Sequence, residues 1–445
     1  MPADRRRRAP TPDPRLVPVL VADVDLAEPL PSLPVAHPDG RAYVGALLLV
    51  RHRRRPVEVL TVSLPPGAEP AELASRVRAA LAAAREPDRD DRRREDGRRD
   101  DGHRDDEHPV PPAPAADLRP ADDLSVVVPT CGRPGTLAGC LDSLLDTDEP
   151  PNEVLVVDNR PGDSRTRDLL ASRYAGGRTR YLAEPRPGTS AARNRGLHAA
   201  TRPVVAFLDD DVVVDRGWPA AVAAGFAVEE VRCVTGLILP RELDTPAQVL
   251  VERYGGFGKG CRRRLFDLGE HRDPDPLFPY RVGSYGSGAN MAFCRRTLLA
   301  LGGFDPALGP GTPTRGGEDL DALLRVILAG HTLLYEPAAI VWHRHRRDDV
   351  DLRRVLRSYG TGLGAVLVKH AVAEPAAAVA LARRAPAGVA HLARARRRGG
   401  HAGERPRVGY PRDLVVRELL GLAVAPAAYL RSRAAAPLPR PGQAP

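Results

Sequence analysis

The sequence predicts an α/β fold with a mostly parallel sheet, a small β-rich module ahead of it and a helical extension behind it. Three observations carry that expectation. From Leu124 onward, short apolar runs alternate with amphipathic stretches, as in strands joined by crossover helices. Before Arg85, three apolar runs are each bounded by Pro, Gly or charge. After Val350 the chain turns rich in alanine, leucine and arginine.

In chain order, LVPVLVADV from Leu16, YVGALLLV from Tyr43 and VEVLTVSL from Val57 read as strands, and AELASRVRAALAAA from Ala71 as a helix. They make a module over residues 1–84, near the smallest size that sustains a core. Residues 85–123 mix both charges with almost nothing to bury and end in PVPPAPAA, so they read as a disordered linker. Everything before about Asp123 is therefore expected to be separable from the main unit. Within 124–346, LSVVVPT is a buried strand and RPGTLAGCLDSLL a helix opened by proline. EVLVVDN, DSRTRDLLASRY and TRYLAEP continue as strand, helix, strand. TSAARNRGLHAA is a helix with a Thr or Ser cap, and PVVAFLDDDVVV from Pro203 a fourth strand. Residues 347–445 hold helices around Arg353–His370, Ala376–Arg384 and Arg412–Arg433, which either pack on the main unit or lie on a membrane surface.

The apolar content of 42% supports a real core, and the net charge of +9 leans towards anionic partners. Acidic residues match the arginines of the linker, which argues against a nucleic-acid arm. Five cysteines at wide spacing fit reduced thiols of a cytoplasmic protein, with neither metal-ligand spacing nor a disulfide scaffold. MPADRRRRAP lacks the apolar stretch of a signal peptide, and no window reaches 18 apolar residues, so no membrane span is expected.

In an open parallel sheet, ligands bind beyond the carboxyl ends of the strands. Asp158 closes one buried strand, and Asp209, Asp210 and Asp211 close another. Three successive carboxylates repel unless solvent or a cation relieves them, so the run is either an acidic turn or a seat for Mg²⁺ or Mn²⁺.

Taken together, SVVVPTCGRP, VVDN, PGTSAARNRG, FLDDD, GSGANMAFCRR, the Glu318–Asp319 pair and VWHRH occur in the order seen in family 2 glycosyltransferases. The chain resembles that family from Leu124 to His345, in an actinobacterial form with an N-terminal extension. The resemblance implies the GT-A fold and a nucleotide diphosphate sugar donor, with a glycan, lipid-linked or small-molecule acceptor. Pro129, Thr130, Arg133, Asp158, Arg193, Asp209 and Asp210 would contact the donor, Asp158 through the nucleobase and Asp209 through the ribose. Asp211, with Asp209 and His343, would hold the metal; His345 competes with His343. Asp319 would be the general base, with Glu318 contacting the acceptor or tuning it. For Arg193 the other reading is a solvated helix position, and for the Glu318–Asp319 pair a helix cap. Trp342 and Phe304 read as core before sugar platforms. The absence of Q-x-x-R-W, typical of processive cellulose- and hyaluronan-type synthases, implies single additions, with a place in cell wall or polysaccharide biosynthesis. Two alternatives stay open: a non-catalytic nucleotide-sugar-binding or scaffold protein, and nucleotidyl transfer. Peripheral contact with the inner membrane face also stays open.

Overall fold

The computed structural model describes residues 17–34, 36–64, 69, 72–85, 120–397 and 412–435. The basic N-terminus and, apart from Arg85 and the short helix before Leu124, the expected linker lie outside them.

The N-terminal module is a three-stranded sheet of β1 (Val19–Asp25), β2 (Gly45–His52) and β3 (Arg55–Ser63), with α1 (Glu72–Arg85) on one face. Leu73, Val77 and Leu81, one helical turn apart, cover Leu48 and Val50 of β2. The other face of β2 is buried as well. Leu47 packs with Leu243 and Val249 of the main unit, and Leu49 joins the main core. Arg51 pairs with Asp215 at 2.5 Å, and the backbone of Val19 donates to Leu243. The continuous apolar run GALLLV thus belongs to a strand covered on both sides. The module is docked on the main unit through this strand.

After α2 (Pro120–Asp123), the main unit alternates β4 (Leu124–Thr130), α3 (Pro134–Leu145), β5 (Glu153–Asp158), α4 (Arg165–Arg173), β6 (Thr179–Ala183), α5 (Thr189–Ala199) and β7 (Val204–Leu208). There follow β8 (Val212–Val214), α6 (Trp218–Gly225), β9 (Val231–Pro240), α7 (Pro246–Gly255), β10 (Arg264–Phe266), β11 (Asn290–Cys294), α8 (Arg295–Ala300), α9 (Glu318–Leu328) and β12 (Thr332–His343). The sheet order is β10-β12-β9-β11-β7-β4-β5-β6, with β8 beside β12. β4, β5, β6, β7, β9 and β12 point one way; β8, β10 and β11 oppose them. Alternation along each strand fills both faces. Val127 and Phe207 meet α5 and α9, whereas Val126, Val128 and Ala206 meet α3 and α6.

Two local expectations are corrected. The strand from Pro203 breaks at the three aspartates, and β8 leaves to pair antiparallel with Val341–His343 of β12. The cap of α5 is Gly188 at φ 119°, with no side-chain cap, because Ser190 Oγ donates instead to Leu308 O.

The C-terminal helices α10 (Asp349–Ala373), α11 (Pro375–Arg397) and α12 (Arg412–Ala435) pack on the main unit. Glycines allow the backbones to meet: a Cβ on Gly360 would strike Glu418 O, and one on Gly364 would lie 2.5 Å from Ala425 Cβ. Lys369 reaches Asp305 at 2.9 Å and Asp321 at 2.8 Å, tying α10 to α9. Among the described residues, no helix is long and apolar enough to cross a membrane.

Candidate active site

The carboxyl ends of β4, β5 and β7 bring Thr130, Asp158 and Asp209 to one edge of the sheet. Pro129 and Thr130 pair with Val157 and Asp158 across β4–β5. Asp158 is fully buried; its Oδ1 accepts from Arg160 N at 2.9 Å and its Oδ2 from the Tyr181 hydroxyl at 3.1 Å.

The turn between β7 and β8 splits the three aspartates. Asp210 turns under the sheet, where its Oδ2 accepts from Thr130 Oγ1 at 2.6 Å, and burial raises its carboxyl to about 6 against the opposing pull of Arg133. Asp209 and Asp211 face the cleft instead. Asp211 Oδ2 accepts from Arg133 Nη1 at 2.8 Å and lies 3.8 Å from Arg346. Burial alone would push Asp211 up, but the neighbouring His343, Arg133 and Arg346 outweigh it and hold the carboxyl well below the usual range.

Asp209, Asp211 and His343 each offer a ligand atom, and all three atoms lie within 4.8 Å of one another. His345 is not in that group. It is buried, its Nε2 3.1 Å from Glu252 Oε2 and its Nδ1 3.1 Å from His343 Nδ1. Burial lowers its proton affinity, against the opposing hydrogen bond of Glu252. His343 Nε2, at the other end of that residue's ring, faces Asp211. Asp211 Oδ1 lies 3.4 Å from that nitrogen, buried and without a hydrogen-bond donor. A carboxylate–imidazole set of this spacing, with a second histidine behind it, fits Mn²⁺ or Mg²⁺.

Arg193 sits at the centre, 2% exposed. Its Nη1 donates to Glu318 Oε1 at 2.9 Å, and its Nη2 to Asp209 Oδ1 and Gly288 O, each at 3.1 Å. A solvated position is thereby ruled out. Phe304 is core, its ring 5.5 Å from that guanidinium, and Trp342 packs against the same core. Glu318 is buried; burial and the neighbouring Asp319 raise it to about 7, while Arg193 opposes the rise.

Gly317, at φ 94°, starts α9, and Glu318, Asp319 and Asp321 fill its first turn, where the helix dipole favours anions. Asp319 stays partly open, and its Oδ2 accepts from Gly288 N at 2.7 Å. A Cβ on Gly288 would lie 2.6 Å from Arg193 Nη2 and 3.0 Å from Asp319 Oδ2, so glycine alone lets both side chains reach this backbone. Sequence reasoning missed Arg346, Glu252, Phe257 and Tyr359. Arg346 lies only three residues beyond His343, which was a usable signal. The other three come from elements whose approach to the site depends on tertiary packing.

The model of glycosyl transferase family 2 matches residues 125–292. Over 216 residues the chain is 30% identical to an uncharacterized glycosyltransferase of Mycobacterium tuberculosis (strain ATCC 25618 / H37Rv), covering 47% of this chain and 81% of that protein. This chain belongs to glycosyl transferase family 2. The family match ends before Glu318 and His343, so the second half of the cleft rests on geometry. The chain is also 33% identical over 184 residues to the pre-mycofactocin glycosyltransferase of Mycobacterium tuberculosis (strain CDC 1551 / Oshkosh), covering 41% of this chain. It spans 36% of that relative's length. A mannosyltransferase of Pyrobaculum calidifontis, solved with GDP-Man and Mn²⁺, aligns with 72% of this chain and 79% of its own at 20% identity and a TM-score of 0.42.

Proposed function

We propose that the protein transfers a sugar from a nucleoside diphosphate sugar to an acceptor hydroxyl, one unit at a time, with inversion at the anomeric carbon. The observation that carries this reading is the single cleft in which Arg193 joins Asp209, beside Asp211 and His343, to Glu318 and the open Asp319. Asp209, Asp211 and His343 would hold Mg²⁺ or Mn²⁺, which when bound neutralises charge developing on the departing diphosphate. Thr130, Arg133, Asp158 and Asp210 shape the donor side, with Pro129 at the strand end.

Asp319 has what a general base needs: a partly open carboxylate held by the Gly288 and Leu320 amides, at the helix terminus that favours its anion. The acceptor oxygen attacks the anomeric carbon as its proton passes to Asp319, and the bond to the diphosphate oxygen breaks on the opposite face. One in-line displacement inverts the centre. A binding or scaffold role would not require an oriented, open carboxylate opposite the cation-ready triad.

Asp319→Asn keeps the size of the side chain but not its proton affinity. Transfer should fall by about 10²–10⁴-fold with nucleoside diphosphate affinity nearly unchanged. Near-normal turnover would move the base elsewhere. Calorimetry with nucleoside diphosphates should show weaker binding after chelation or with Asp211→Ala, and equal affinity in all samples would remove the metal.

A further inference from the structure

Past Asp211 and His343 lie two aromatic side chains, Phe257 within the family match and Tyr359 beyond it. Phe257 lies on the glycine-flanked loop after α7, its ring centroid 5.2 Å from that of His343. It meets Tyr359 of α10 edge-on at 6.3 Å. α10 is held against the start of α9. A Cβ on Gly362 would lie 2.8 Å from Gly317 N, and one on Gly316 would lie 3.5 Å from Ser358 O. Tyr359 follows Ser358 directly, and Asp319 stands two residues beyond Gly317, so the ring and the carboxylate share one end of the cleft.

The exposure of Tyr359 is unusual for a ring so placed. Its surface is 42% open, and its edge-on contact with Phe257 leaves the ring at the mouth of the cleft. Nothing in the fold requires that opening: the turns on either side are closed by Leu356 and Gly360, both buried.

Resting on the transferase reading above, we propose that Tyr359 and Phe257 form the acceptor subsite and that it takes a neutral pyranose ring. The axial C–H groups of a pyranose make an apolar face that packs on aromatic rings, while its hydroxyls point sideways to polar partners. At this end of the cleft the Asp319 carboxylate is such a partner, and its charge disfavours an anionic acceptor and suits a polyhydroxylated neutral one. The C-terminal extension is then part of the specificity apparatus, and the hydroxyl to be glycosylated is presented from Tyr359 towards Asp319.

The test uses the full chain with Mn²⁺ and a saturating nucleoside diphosphate. Methyl pyranosides of glucose, galactose, mannose and N-acetylglucosamine are probed by saturation-transfer NMR. At least one should give a clear signal with the wild type, falling at least about tenfold in Tyr359→Ala and persisting in Tyr359→Phe, which keeps the ring. Melting temperature and nucleoside diphosphate affinity report whether each variant is folded; Phe257→Ala is the second probe should Tyr359→Ala fail to fold. Absence of binding by all four pyranosides, or equal signals in wild type, Tyr359→Ala and Phe257→Ala, overturns the proposal. Failure of the wild type to bind any nucleoside diphosphate refutes the transferase reading instead.

Discussion

Replacing Arg193 by methionine keeps the length of the side chain and removes its charge. The guanidinium is buried and holds two carboxylates, Glu318 at 2.9 Å and Asp209 at 3.1 Å. Breaking a buried pair by removing one partner typically costs about 3–5 kcal/mol, because the other charge is left uncompensated. Here the loss depends on pH. Glu318 is already raised by burial and by Asp319, and Arg193 limits the rise. Without the arginine its folded-state proton affinity climbs further. A folded carboxyl above its unfolded value stabilises at low pH and loses that stability as pH rises through the folded value. The wild type should therefore lose stability up to about pH 7, the value of Glu318, and then level off. Arg193→Met should keep falling above that, by about 1.4 kcal/mol per pH unit. Urea denaturation at pH 6, 7 and 8, with m-values compared, measures this. Glu318→Gln should remove most of the slope in either background. A penalty below about 1 kcal/mol, or one shrinking between pH 6 and 8, would refute the reasoning, since an uncompensated buried carboxylate has no other way to behave.

Leu49→Ala, which opens a cavity between the N-terminal module and the main core, should cost about 2–5 kcal/mol in one cooperative transition, seen by calorimetry. Two separate transitions would show the module to be independent. Gly362→Ala places a methyl 2.7 Å from Gly316 C and should cost about 1–3 kcal/mol. It should also lower turnover more than nucleoside diphosphate affinity, because the displaced turn leads directly into Asp319; equal loss of both would place the strain elsewhere.

The strand-end placement of Asp158 and the three aspartates was legible in the sequence, because the carboxyl ends of buried parallel strands form the edge at which such sheets bind ligands. The choice between His343 and His345 was not legible, because it depends on Glu252, 91 residues before His343 in the chain. Arg193 looked like any helix arginine; only the approach of Gly288 and α9 encloses it. The charged segment before Asp123 suggested a separable module, yet the uninterrupted apolar run of β2 carried the opposite message. Tyr359 had no sequence signal, since its helix lies beyond every motif and reaches the cleft through glycine contacts with the turn before α9.

Those glycine contacts bear on synthesis. α10 completes the acceptor end of the cleft and rests in turn on α12, which ends at Ala435. At elongation rates of about 5–20 residues per second, that helix emerges roughly 5–20 s after β12 has been made. A nascent chain can pair its strands and assemble Asp209, Asp211 and His343 before release from the ribosome. It cannot yet hold Tyr359 beside Asp319. A ribosome-bound chain would then be able to capture nucleotide before it could present an acceptor.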